Sequence, residues 1–168
     1  MTRRDPRSFI SLQLRPAIMA LLLALWPATQ ASAVDTTWTL GASGNWNNIA
    51  NWSNGIPANN TYNVFILDGV STVDKDSTGV TVIDELTLAV GNTLTVGNGK
   101  GIEFDLGGTI NNAGLIQLNA SNSVTRLQVD GGTVTFIGGG TIQLGHEQSV
   151  RVLGAGNNDT FHNINHTI

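Results

Sequence analysis

Two pairs of carboxylates have a spacing that could support acid–base chemistry. Glu103 and Asp105 alternate with apolar residues in the run at 102–106, and Asp74 and Asp76 have the same spacing. Side chains two positions apart on a β-strand project to one face, about 7 Å apart along it. Each pair could therefore supply an acid and a base to a polysaccharide, or hold calcium. The alternative is that Glu103 and Asp105 are only solvated residues of an outer face. The apolar residues that alternate with them would then point into the interior.

The histidines do not indicate a metal centre. His162 and His166 are four positions apart, which on an extended segment puts them on one side but about 13 Å from each other, too far for one ion. The calcium phrase G-G-x-G-x-D is absent, since the glycines at 138–140 are followed by Thr141 and Ile142, and no nucleophile elbow G-x-S-x-G occurs. We therefore assign no catalytic, cofactor-binding or metal-binding residue, and we expect no cofactor and a protein that is not an enzyme.

The elements that must position these residues are short strands. Short runs alternate apolar and polar side chains, and Gly, Asn or Asp separates them. No segment after residue 33 carries the apolar stripe of a helix. We therefore expect an all-β fold with essentially no helix once the N-terminal segment is set aside. The runs lie at 63–67, 85–90, 93–96, 102–106, 115–118, 126–129, 133–137, 141–144 and 150–153.

An internal repeat indicates how the strands are arranged. The phrase GLIQL at 114–118 returns as GTIQL at 140–144, and HTI at 166–168 begins a third copy after the same interval. The phrase GGTI at 107–110 returns as GGTV at 131–134, after an interval two positions shorter. A period of about 25 residues is typical of one coil of a parallel β-helix, in which each strand pairs with its counterpart about 4.8 Å away.

The repeat therefore predicts a right-handed parallel β-helix, or β-solenoid, in which Ile116, Ile142 and Ile168 occupy one inward register. A β-sandwich is the alternative, because the dipeptides Asp68-Gly69 and Asp130-Gly131 could form tight hairpin turns.

The tryptophans and the tyrosine after position 33 cluster before the repeats. Trp38, Trp46, Trp52 and Tyr62 all lie in the short stretch 38–62. A solenoid must close its first coil, since an open core and unpaired strand edges invite association. We interpret the segment 34–67 as an N-terminal cap that packs on the first rung, and the alternative is an aromatic platform that stacks on sugars.

The N-terminal segment 1–33 has the three zones of a secretory signal peptide. Arg3, Arg4, Arg7 and Arg15 make the start positive, residues 17–26 are uncharged and apolar, and an A-x-A site follows at 31–33. This apolar zone is too short to cross a ~30 Å hydrocarbon core, which needs about 20 residues. We predict cleavage after Ala33, with a retained anchor as the alternative.

Composition restricts the partners of the mature chain. Four basic residues remain against eleven carboxylates, a net charge of −7, so the sequence lacks the basic patch that binds phosphate backbones, and we expect no nucleic-acid partner. There is no cysteine, so an exported chain must be held by hydrogen bonds and packing. All the glycines follow position 33, and with the abundant Asn and Thr they favour strands and turns.

Three phrases resemble a known class of protein. The stretch 38–57 (WTLGASGNWNNIANWSNGIP) resembles the opening of large bacterial β-helical surface proteins, which include autotransporter passengers and haemagglutinin- or adhesin-like proteins. Residues 106–144 are similar to their repeat unit, and 161–168 (FHNINHTI) is similar to the phrase that opens the next unit. The resemblance implies a secreted or surface-displayed β-helix, often in adhesion, and its motifs carry no catalytic residue.

These observations predict three segments: a signal peptide at 1–33, a cap at 34–67, and solenoid repeats at 68–168 that are truncated at the C-terminus. We expect an exported or cell-surface protein that presents a repetitive surface to surface glycans or to host and matrix surfaces. Its own missing repeats or a translocator would be further partners, and the isolated fragment is expected to self-associate. A carbohydrate-active β-helix enzyme or a carbohydrate-binding module is the alternative function.

Overall fold

Short strands joined by tight corners form the part of the chain that the computed structural model describes, which is residues 32–105, 107–145 and 149–168. The one helical element there is a 3-10 turn at Ile49–Asn51. The predicted signal peptide lies almost wholly outside the described residues. The strands are β1 (Val34–Thr37), β2 (Gly44–Asn45), β3 (Tyr62–Ile66), β4 (Thr72–Lys75), β5 (Gly79–Ile83), β6 (Glu85–Leu88), β7 (Thr93–Val96), β8 (Lys100–Asp105), β9 (Thr109–Asn112), β10 (Leu115–Leu118), β11 (Thr125–Asp130), β12 (Thr133–Ile137), β13 (Thr141–Leu144), β14 (Val150–Gly154) and β15 (Thr160–Asn163).

The strands form three parallel sheets. The first sheet has the order β1-β3-β6-β9-β12-β15, the second β2-β4-β7-β10-β13, and the third β5-β8-β11-β14. Because the chain visits the three sheets in turn and always pairs with the previous coil, it winds into a right-handed parallel β-helix of about five coils. The predicted fold is confirmed. The sandwich alternative is wrong, because every pairing between these strands is parallel and a hairpin would be antiparallel.

The inward register predicted from the repeat is confirmed for Ile116 and Ile142 but not for Ile168, which is 55% exposed. Ile116 pairs with Ile142, and an isolated bridge between Thr141 and Thr167 extends the same offset to the next coil. Ile116 and Ile142 are buried, and Leu94 continues their column on the preceding coil. Here a column means residues at equivalent positions of successive coils.

The alignment of 107–110 with 131–134 is wrong as a strand register. Thr109 pairs with Thr135 and Ile110 with Phe136, two positions beyond the partners that the repeated phrase predicts. The reason lies in the corner before these strands. Asp105 pairs with Asp130, and three residues separate Asp105 from Thr109 whereas four separate Asp130 from the partner of Thr109, which is Thr135. The repeated glycines therefore occupy the corners without marking the strand alignment.

The tryptophans close the first coil, whose described strands belong to the first and second sheets and not to the third. Trp38, Trp46 and Trp52 are buried, and Trp52 contacts the other two edge to face at centroid distances of 5.1 and 4.9 Å. Each indole N–H donates to a backbone carbonyl: Trp38 to Ala42, Trp46 to Pro57 and Trp52 to Trp46. Buried indoles need such partners, so the cluster is a satisfied cap of the core.

Hydrogen bonds between coils hold the corners in this cysteine-free chain. Asn98 Oδ1 accepts from the backbone N–H groups of Ser121, Asn122 and Ser123 on the next coil. At another corner Gly91 has φ +84°, and a Cβ there would collide with the Gly69 carbonyl. Only glycine allows the coils to approach so closely at that corner.

Candidate functional site

The predicted acid pair Glu103 and Asp105 lies on the outer face of the third sheet. Both side chains are partly exposed, while Ile102 and Phe104, which alternate with them on β8, are buried. The prediction that the two carboxylates share one face is confirmed, and so is the inward position of the two apolar residues. The pair therefore stands on a solvated surface where a polymer could reach both carboxylates.

The second pair does not form a comparable unit. Asp74 is exposed on β4, but Asp76 follows the end of that strand and accepts the backbone N–H of Asn47 at 2.9 Å. Asp76 thus joins the second coil to the first, which is a structural role. This pair contributes no candidate for chemistry.

Polar groups from other coils converge on Glu103 and Asp105. On β11, Gln128 pairs with Glu103 and Asp130 pairs with Asp105, and Gln128 Nε2 donates to Glu103 Oε2. Asn60 Nδ2 donates to Asp105 Oδ2 at 2.6 Å from the opposite direction. Both carboxylates therefore accept an amide hydrogen bond from another coil, which holds them in place.

An arginine borders this group. Arg126 pairs with Gly101, and a Cβ at position 101 would lie 2.8 Å from Arg126 Cγ. The glycine thus leaves room for the arginine side chain over β8. On the next coil Arg151 pairs with Arg126. We call Glu103, Asp105, Arg126, Gln128 and Asp130 the carboxylate face.

The electrostatics of the carboxylate face favour a proton on Glu103. Burial raises the pKa of Glu103, and the negative charges of Asp130 and Asp105 raise it further, while Arg126 opposes them. Nearby, burial raises the pKa of Asp84, and Asp105 adds to that effect. A raised pKa brings a carboxyl closer to the range in which it can act as a general acid.

The geometry allows a limited chemistry. Glu103 and Asp105 are two positions apart on one strand, so their backbone positions are roughly 7 Å apart along it, a spacing that is compatible with a pair of carboxyls flanking a glycosidic bond. Arg126 could bind a carboxylate or a sulfate of a sugar polymer. The face therefore carries groups that could bind a glycan, with Glu103 and Asp105 as the candidate acid and base.

The histidines are placed differently from the prediction. His162 is exposed on β15, but the strand ends at Asn163 and a turn carries His166 to a buried position. They do not lie on one side of an extended segment, because the hydrogen bond from His166 N to Asn163 Oδ1 closes that turn. Within the described ranges no group of three or more His, Asp or Glu side chains is arranged to hold a metal ion.

The tryptophans offer no platform for sugars. Trp46 is fully buried, and Trp38 and Trp52 are 3% and 5% exposed, so their ring faces are covered by protein. Stacking on a sugar needs an exposed face. The interpretation of these three residues as a binding platform is wrong, because they form the cap.

Gln128 and Asp130 were not predicted as site residues, although the repeat in the sequence indicates their positions. Gln128 and Asp130 follow Glu103 and Asp105 by one predicted period of the coil. Counting one coil period forward from Glu103 and from Asp105 leads to these two partners. Asn60 had no such signal, since it reaches Asp105 from a loop of an earlier coil.

Comparisons with known proteins give no relative: no family model, no curated protein and no solved structure matches the chain. In the described part of the chain, no helix has the length and apolar character needed to cross a membrane.

Proposed function

We propose that this chain is an exported surface β-solenoid of the adhesin or passenger kind, which presents repetitive polar faces to glycans on other surfaces. The observation that carries the proposal is the regular outer surface of the second sheet. One column of that surface carries a polar side chain on every coil: Asn45, Asp74, Thr95, Gln117 and Gln143.

This column suits a repeating ligand. Its members follow one another at the spacing of paired strands, about 4.8 Å. Gln117 Nε2 donates to Gln143 Oε1 at 3.1 Å, so the two amides are aligned along the solenoid axis and both remain accessible. A polymer with hydroxyl groups at regular intervals can make the same hydrogen bond at successive coils, and multivalent contacts add to the avidity.

Export is part of the proposal. It rests on the three zones of residues 1–33, and the absence of cysteine is compatible with it because the corners are held by hydrogen bonds. A chain recovered from the medium of an expressing bacterium is then expected to begin at Val34.

A carbohydrate-active enzyme is the second candidate, and the carboxylate face is the observation that favours it. Glu103 as the acid, Asp105 as the base and the guanidinium of Arg126 could together act on a sugar polymer. The two candidates differ in which sheet binds the glycan and in whether the glycan is cleaved.

One experiment separates them. The full-length chain is incubated with neutral and acidic polysaccharides, and both the bound fraction and new reducing or unsaturated ends are measured. We expect binding without cleavage, weakened at least threefold by Gln117→Ala/Gln143→Ala and unchanged by Glu103→Ala. Cleavage that Glu103→Ala or Asp105→Ala abolishes would replace the leading proposal with the enzyme, and no binding to any polymer would reject both.

A further inference from the structure

A buried histidine without a partner lies at the corner between the first and second sheets. His166 is 9% exposed, and both ring nitrogens, Nδ1 and Nε2, are buried and unbonded. Its backbone is fixed, because Asn163 Oδ1 accepts its N–H at 2.8 Å and Asn163 Nδ2 donates to its carbonyl at 3.2 Å. The imidazole is therefore held in the interior by the turn, and its own polar atoms contribute nothing to holding it.

The surroundings of the ring are apolar on one side. The imidazole lies edge to face against Phe136, with ring centroids 6.0 Å apart, and Phe136 stacks on Phe161 at 3.8 Å. The carbonyls of Asn112 and Phe136 face the ring and favour its protonated form, but neither makes a hydrogen bond with it. Burial outweighs them, so the pKa of His166 lies below its ordinary value.

The described strands around the ring offer no compensating negative charge. β9, β12 and β13 carry no ionisable side chain, and the ionisable residue within β15 is His162, which is exposed. Arg151 on β14, the strand that precedes β15 in the chain, has the same sign of charge as a protonated imidazole. A proton on His166 would therefore be a buried charge with no carboxylate on these strands to balance it, which is costly even with the two carbonyls nearby.

We propose that His166 is an acid-sensitive latch that holds its coil closed while the imidazole is neutral and opens the coil when the imidazole is protonated. The latch acts on three backbone hydrogen bonds at its corner, which run from Ile164 N to Phe136 O, from Ile142 N to Thr167 O and from Thr167 N to Gly140 O. Expulsion of the ring into water breaks the turn at Asn163 and loosens these bonds. Acid would thus expose the edge of β12 and the ring of Phe136.

Hydrogen exchange of the full chain at pH 7.5 and pH 5.0, with rates corrected for intrinsic exchange, tests the latch. Protection of the amides of Ile142 and Ile164 is expected to fall about tenfold in acid, while the amide of Leu94, two coils away, keeps its protection. His166→Phe, which keeps a ring and removes the titration, is expected to abolish the fall. His162→Gln, the matched control for the exposed histidine, is expected to leave it unchanged.

The proposal is overturned if the unmodified chain shows no loss of protection, or if His162→Gln abolishes the loss and His166→Phe does not. Since His166→Phe could fail to fold, the imidazole resonances of the unmodified chain give an independent measurement. Titration of His166 below the ordinary histidine range, in step with the opening, supports the latch. Titration at or above that range overturns it.

Discussion

At the scale of single residues, Lys75 carries a charge that conflicts with its buried place in the fold. It is 1% exposed, and its Nζ donates to the carbonyls of Ser77 and Gly79 at 2.8 Å. Burial lowers the pKa of Lys75 to about 8, and the charge of Lys100 contributes to the lowering. Between pH 8 and 10.5 the unfolded chain then binds more protons at this site than the folded chain, so the contribution of Lys75 to stability rises with pH.

The variant Lys75→Met isolates this contribution. The unfolding free energies of the wild type and the variant are measured in urea at pH 7.5 and pH 10.5. The wild type is expected to gain about 1–3 kcal/mol relative to the variant between the lower and the higher pH. Lys100→Met, a change at a half-exposed amine, is expected to shift much less. A pH-independent difference for Lys75→Met would show that the two carbonyls keep the buried amine protonated throughout.

At the scale of the strand, alternation decides what a position tolerates. Ile116 is buried in the middle of its column, and Gln117, the next residue on β10, points outward. Ile116→Asp buries an unpaired charge and is expected to lower the unfolding free energy by about 3–5 kcal/mol. Gln117→Asp loses an exposed hydrogen bond to Gln143 and is expected to cost less than about 1 kcal/mol. Equal costs, measured by urea unfolding, would contradict the inward and outward assignment.

The same alternation explains which elements could be predicted from the sequence. The strands at Thr93–Val96, Leu115–Leu118, Thr133–Ile137 and Thr141–Leu144 have the predicted bounds, because each alternates cleanly between glycine or asparagine corners. β4 was not predicted, since Lys75 takes the inward place of an apolar residue. β9 was missed for a similar reason, because buried Asn112 ends it.

At the scale of the whole molecule, the carboxylates gather along one edge of the solenoid. Among the described residues, seven lie where the third sheet meets the first or beside that corner: Asp35, Asp84, Glu85, Glu103, Asp105, Asp130 and Asp159. No local pattern revealed this edge, because its members are distant in sequence and only the winding of the coils brings them together. The carboxylate face could be predicted in part from the spacing of Glu103 and Asp105, but its electrostatics depend on the register of coils.

Burial, together with repulsion along this edge, makes the contributions of Glu85 and Glu103 to stability rise in mild acid. Burial raises the pKa of Glu85 and of Glu103, and neighbouring carboxylates raise both further. A folded-state pKa above the unfolded value means that the folded chain binds the proton more readily, so stability is gained as the pH falls through the folded pKa and is complete below the unfolded pKa of about 4.3.

Glu85→Gln/Glu103→Gln is therefore expected to raise the unfolding free energy at pH 7.5 by about 0.5–1 kcal/mol, after allowance for solvent screening, with the gain vanishing near pH 4. In 0.5 M salt the gain is expected to shrink, because the interacting charges are partly exposed. Asp74→Asn, which removes one exposed charge from the second sheet, is the control and is expected to change stability little at either pH. A double variant that is less stable than the wild type at pH 7.5 would mean that the hydrogen bond from Gln128 to the Glu103 carboxylate outweighs the repulsion.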